Sequence, residues 1–317
     1  MVSVEEATRM TTGSRPRATE RVEWQTLALA AVIHGGWIAA LVLAATGWAP
    51  MWVWLPMAIW FVGWESSLQH EVVHGHPTPW KWVNRIIAGP PLLLWLSYWR
   101  YEESHLKHHV NEHLTDPLED PESYYLTEAQ WAEASAFKRA WLTCMNCVIG
   151  RMVLGSLKTA VDGFVEEWKS LFRSGKERRG ALSHWAQVAV IVACLYSLFG
   201  VEAWTYLLLV MWPASGLMLV RSFMEHRPAL DPEHRTIIVD SCGPLAWLFL
   251  FNNLHAVHHA KPGLPWYRLR EEFLRNRDDI LTRNGEYVLR DYGQMFARYA
   301  LRIKDAPVLR ASNPKVD

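Results

Sequence analysis

Nine histidines in this chain have the residue type and spacing for metal chemistry. HEVVH holds His70 and His74, HLKHH holds His105, His108 and His109, and HAVHH holds His255, His258 and His259. The ninth, His226, lies in RSFMEHRP between the last two clusters. On a helix, positions i, i+3 and i+4 share a face, so each cluster aims two or three imidazoles at one point. HEVVH alone also matches HExxH, in which two histidines one turn apart bind zinc and the glutamate activates a water. A catalytic zinc needs only three protein ligands, which leaves most of the clustered histidines without a role. Two metals with four or five ligands each use all nine. Imidazole suits zinc, copper, iron and nickel, so ligand type does not name the metal. Neutral nitrogen ligands with open positions beside lipid suit O₂ chemistry on an apolar substrate, which favours iron. His76 and His113 lie just outside their boxes and are secondary candidates. His34, His184 and His234 stand alone and read as core or surface groups.

These clusters must be placed by membrane-spanning elements. A helix crosses the hydrocarbon core with about 20 apolar residues. Stretches 26–46, 51–68, 185–200 and 203–220 approach that length. They pair through two short links, GWAP and VE, which contain no Lys or Arg. The expected architecture is all-α and integral to the membrane. It has four transmembrane helices in two hairpins, with a cytoplasmic helical cap carrying the histidine boxes. The positive-inside rule puts both termini and the metal site in the cytoplasm, in a multi-pass protein of the cell membrane. His70 follows the second span and His226 the fourth. His105 follows the apolar run 86–98, whose Gly-Pro-Pro break predicts a re-entrant or interfacial turn. His255 follows a second short apolar run, 244–251. Residues 141–172 are amphipathic and read either as a helix along the inner membrane face or as a core helix of the cap.

Composition narrows the class. Lys+Arg and Asp+Glu both number 32, so no polyelectrolyte signature points to nucleic acid. The 19 tryptophans fit a membrane protein, where this residue anchors the lipid–water interface. Four cysteines make no disulfide framework, and Cys144-Met-Asn-Cys147 reads as a packing feature. The polar segment 1–24 is expected to be a disordered cytoplasmic tail, 25–270 the membrane domain, and 271–317 a cytoplasmic helix and tail. The terminal KDAPVLRASNPKVD is read as polar tail.

The order HxxxH, HxxHH, HxxHH around four spans resembles the integral-membrane fatty acid desaturase/hydroxylase superfamily, in its bacterial form. The resemblance covers roughly residues 25–270. It implies two non-haem irons held by His70, His74, His105, His108, His109, His255, His258 and His259, with His226 as the additional histidine. It implies O₂ as co-substrate, an apolar acyl-chain or lipid-like substrate, and a separate ferredoxin- or cytochrome-like electron donor with its reductase. The expected reaction is desaturation of a fatty acyl chain. The alternatives are hydroxylation, ketolation or desaturation of a carotenoid or an amino-acid-derived metabolite, and more distantly a membrane zinc protease. Ser222 stands where acyl-CoA desaturases place an asparagine, a departure from their pattern. Metal-bound histidines usually donate their other N–H to a carboxylate or carbonyl. Glu65, Glu71, Asp116, Asp120, Ser222, Glu225 and Asn252 are the candidates for that supporting role. Lys176, Arg178 and Arg179 read as a solvated loop, with donor docking as the alternative.

Overall fold

The computed structural model describes residues 21–110 and 113–309; most of the predicted N-terminal tail lies outside them. The chain begins with α1 (Trp24–Thr46) and α2 (Met51–Val73). Then come α3 (Lys81–Ala88), α4 (Tyr98–His108), α5 (Glu128–Glu133) and α6 (Ala136–Cys144). α7 (Val148–Leu171), α8 (Gly175–Phe199) and α9 (Ala203–Phe223) are long, and π-turns interrupt α7 and α9 at Arg151–Gly155 and Leu207–Met211. Five shorter helices follow: α10 (Pro244–Leu248), α11 (His255–Ala260), α12 (Trp266–Arg275), α13 (Arg277–Arg283) and α14 (Tyr292–Tyr299). The regular strands among the described residues are β1 (Ile238–Val239) and β2 (Val288–Leu289), paired in parallel. The protein is mostly helical, as its apolar runs predict.

Among the described residues three helices, α1, α8 and α9, are long and apolar enough to cross a membrane, and the pair α6–α7 would make a fourth if counted as one span. That pair bends by 108°. The sequence expectation of one amphipathic helix over 141–172 is therefore corrected to two helices. Cys147 ends the approach by capping α7, its sulfur accepting the Gly150 N–H at 3.3 Å. Along α7, Ile149, Val153, Leu157, Val161, Val165 and Trp168 stay exposed. Their steps of three and four residues make one outward apolar stripe, as an interfacial helix requires. The predicted span 51–68 forms the first part of α2, a helix of 23 residues whose C-terminal half turns polar at Glu65, Gln69, His70 and Glu71.

α1 ends at Gly47, whose φ of 68° lies in the left-handed region that glycine enters at little cost. Pro50 then starts α2, and Trp48 and Trp52 project outward at this turn. The early part of α1 (Leu29, Ile33) shares a core with the end of α2 (Leu68, Val72). The late part (Ala40, Leu41) shares one with its beginning (Ala58, Val62). The two helices are thus antiparallel. α9 runs alongside α2 in the same direction, with Gly63 against Ala214 and Ser67 against Met218. The ends of α2 and α9 therefore bring His70 and His226 to the same end of the bundle.

The break predicted at Gly89-Pro90-Pro91 is real and lies inside the bundle. Leu92, Leu93, Leu94 and Trp95 are buried, and their backbone is irregular. Its carbonyls need donors that lipid cannot supply. Tyr206 Oη donates to Leu92 O at 3.2 Å, and His184 Nε2 to Leu94 O at 3.0 Å. Tyr206 lies 17 residues before Phe223, roughly 25 Å along the axis of α9 at 1.5 Å per residue. The segment therefore penetrates deeply from the histidine end and returns to start α4. Ser97 and Arg100 clamp that start onto α7. The buried Glu167 Oε1 accepts from Ser97 Oγ at 2.5 Å and Arg100 Nε at 2.7 Å.

The C-terminal region departs from the sequence expectation of one helix and a tail. The boundary expected at 270/271 falls inside α12. Leu289, Tyr292 and Met295 join a core with Phe223 and Phe249. Residues 304–309, read as polar tail, are packed, with Lys304 and Val308 buried; residues 310–317 lie outside the described ones.

One glycine tests the packing of α7 on the re-entrant segment. A Cβ at Gly163 would stand 2.4 Å from the backbone oxygen of Trp95. Gly163→Ala should cost about 1–3 kcal/mol through overpacking. It should lower the thermal midpoint in detergent, and an unchanged midpoint would refute the contact.

Candidate metal centre

The structure brings all nine histidines together in two adjoining groups. His70, His74, His105, His109 and His258 form one, and His108, His226, His255 and His259 the other. Within each group the candidate ligand atoms lie within 4.8 Å of one another. The boxes interlock across the pair. At the end of α4, His105 and the capping residue His109 are four apart and serve the first group, while His108 serves the second. On α11, His255 and His259 serve the second group, while His258 serves the first. Rings of His109 and His259 stack at 4.4 Å where the groups meet.

Hydrogen bonds assign the tautomers. His108 Nδ1 lies 2.9 Å from Asp120 Oδ1, His226 Nδ1 3.2 Å from Arg235 O, and His255 Nδ1 3.1 Å from Asn252 Oδ1. Asn252 is oriented by its Nδ2, which donates to Glu225 Oε1 at 2.8 Å. All three partners are acceptors, so each Nδ1 carries the proton and each Nε2 presents a lone pair. Yet His226 Nε2 stands 2.9 Å from both His108 Nε2 and His255 Nε2. Lone pairs at that separation repel unless a cation lies among them. In the first group, His105 Nδ1 lies 3.3 Å from Glu122 Oε1. Its Nε2 faces His74 Nε2 at 3.1 Å and His109 Nε2 at 3.0 Å. His70 Nε2 is buried without a hydrogen-bond partner among the described residues. Both donor sets fit a cation of the kind imidazole binds.

Burial and the neighbouring histidines push His109, His255, His258 and His259 well below the ordinary imidazole value, so these ligands stay neutral. His108 differs. Its burial opposes charging, but Glu122 and the Asp120 hydrogen bond prevail and raise it to about 9. A proton is the simplest cation this group can take, and a metal ion would displace it.

The supporting residues divide. Asp120 and Asn252 reach the imidazoles directly, and Glu225 acts on His255 through Asn252. Glu71 instead accepts the backbone N–H of Trp266 at 3.1 Å, so it is not placed as a peptidase base facing the metal. Asp116 accepts the N–H groups of Leu118 and Glu119 in a turn. Ser222 bonds the carbonyl of Leu219 in its own helix. Glu65 is buried in α2, and no imidazole hydrogen-bonds it among the described residues. His76 pairs with Glu23 at 2.7 Å, and the half-exposed His113 lies 3.7 Å from Glu119. Lys176 is on the first turn of α8 and pairs with Glu103 at 2.9 Å. Sequence reasoning missed three contributors. Glu122 lies in the same acidic run as Asp116 and Asp120 and was legible there. Arg221, 2.9 Å from Glu225, steadies the carboxylate that orients Asn252. The Arg235 carbonyl left no signal, because any residue supplies one.

Apolar helices and a buried cluster of imidazoles define a multi-pass membrane protein with a histidine-built candidate metal centre. The profile of the fatty acid desaturase family matches residues 46–290, and the chain belongs to that family. It is a desaturase-like oxidoreductase of a family that uses iron. A search of curated proteins finds no match.

Two measurements probe the centre. Metal affinity should rise with pH between about 6.5 and 9, as His108 loses its proton, and level off above; a flat profile would contradict the assignment. Asp120→Asn should weaken metal retention roughly 10–100-fold by loosening His108. Chelator competition measures both.

Proposed function

We propose that the chain is a membrane-bound, O₂-dependent diiron desaturase acting on a fatty acyl chain. The observation that carries this reading is the division of nine imidazoles into two adjoining groups, in a chain of the fatty acid desaturase family. His70, His74, His105, His109 and His258 would hold one iron, and His108, His226, His255 and His259 the other. Bound there, the irons supply O₂ activation: two electrons from a donor, two protons and two hydrogens from adjacent carbons convert O₂ to two waters and leave a double bond.

The chain's own residues set the conditions. Asp120, Glu122, Asn252 and the Arg235 carbonyl hold the Nδ1 protons and so aim the Nε2 lone pairs. Glu225 and Arg221 fix Asn252. Burial of the imidazoles keeps water from the reacting carbon. No haem-binding HPGG or Cys-rich iron–sulfur pattern occurs in the sequence, which supports a separate ferredoxin- or cytochrome-like donor with its reductase.

The reading extends to topology. α1, α2, α8 and α9 are the four spans, as two hairpins, and the histidine end faces the cytoplasm of a bacterial inner membrane. The membrane domain begins at about residue 25, after an N-terminal tail, and the region beyond α12 lies on the cytoplasmic side, packed against the end of α9. The absence of Lys and Arg from the links GWAP and VE supports this orientation.

Lipid profiling of cells with the wild-type chain and with His258→Ala tests the substrate. A new double bond in fatty acyl chains, absent with His258→Ala, is expected. An unchanged fatty-acid profile with altered pigments or soluble metabolites would transfer the reading to the carotenoid or small-metabolite enzymes of the superfamily.

A further inference from the structure

Beyond α14 the chain runs as an irregular strap, residues 300–309, outside the family match that ends at 290. Lys304 on this strap is only 7% exposed. A buried ammonium is costly unless its donors are taken. Its Nζ donates to the backbone oxygen of His226 at 2.6 Å and lies 3.1 Å from Asp305 Oδ2. Its backbone N–H donates to Asn146 O at 2.8 Å. Asp305 Oδ2 also accepts from Tyr125 Oη at 3.0 Å. Leu126 exchanges two backbone hydrogen bonds of 2.9 Å with Pro307 and Leu309.

The strap therefore grips Asn146, at the bend before α7, and two further segments that bear on the metal centre. One is His226, which stands alone between the boxes, has no neighbouring ligand on its own helix and follows the end of α9. The other is the stretch at 125–126, just after Asp120 and Glu122, the acceptors of His108 and His105. Without the strap, His226 would keep its antiparallel bridge to Thr236, and Leu126 would lose both of its backbone hydrogen bonds to Pro307 and Leu309. His226 needs its ring fixed to a fraction of an ångström for ligation, and its backbone is what Lys304 ties down.

We propose that Lys304 is a positioning residue for the four-histidine group, and that the strap clamps His226 against the segment bearing Asp120 and Glu122. The inference rests on reading the two groups as metal sites. It assigns the strap at residues 300–309 a role in metal retention.

The test uses the full-length protein in detergent, loaded with iron, with metal counted by plasma mass spectrometry and its release followed with a competing chelator. Lys304→Met keeps the stem and removes the donors. One of two irons should leave it at least about tenfold faster than from the wild type, the lower end of what such outer partners contribute. The metal-free variant should unfold near the wild-type temperature, and Lys304→Arg should restore most of the retention. A wild type without two irons would overturn the metal reading itself. Two irons in the wild type, released equally fast by Lys304→Met, would overturn only the strap. Should Lys304→Met fail to fold, Tyr125→Phe, which deletes one hydroxyl, replaces it. Faster release then supports the clamp, and unchanged release refutes it.

Discussion

Imidazole lone pairs turned toward each other in a buried site are the constraint on which this structure depends. His108, His226 and His255 commit their Nδ1 protons to acceptors that cannot give a proton back. Their Nε2 atoms then meet at 2.9 Å. Such an arrangement is repulsive by itself and favourable around a cation. A fold that holds it must spend stability elsewhere to keep the rings in place.

The rest of the molecule supplies that hold in layers. The parallel packing of α2 on α9 brings their ends together. The re-entrant segment carries the chain inward and back so that α4 starts beside them, and Tyr206 and His184 satisfy carbonyls that would otherwise be buried unpaired. Glu167, Ser97 and Arg100 lock α4 to α7. Leu250 and Phe251, both at positive φ, turn the chain sharply before α11. That conformation costs roughly 1–2 kcal/mol per non-glycine residue, and the burial of Leu248, Phe249 and Leu254 offsets it. The strain is concentrated four and five residues before His255, where the direction of the helix decides which imidazole joins which group.

Much of this was legible in the sequence because it rests on periodicity. The i, i+3, i+4 spacing of HLKHH and HAVHH and the apolar length of 26–46 and 203–220 are local properties. The Gly-Pro-Pro break was equally local. What sequence could not show depends on contacts between distant segments. Nothing in HLKHH says that His108 parts from His105 and His109, because that depends on where α11 lies. Asp116 and Asp120 look alike in the acidic run, yet one caps a turn and the other orients a ligand. Lys304 looked like a tail residue because only the fold shows the carbonyl it meets. The bend at Cys147 escaped notice because the apolar pattern continues on both sides of it.

The most direct test of the two-metal account is a diffraction experiment on the iron-loaded protein, with anomalous differences collected at the iron edge. The account predicts two peaks, one enclosed by His70, His74, His105, His109 and His258 and the other by His108, His226, His255 and His259. A single peak held by His70 and His74 alone, or anomalous signal at the zinc edge instead, would contradict it.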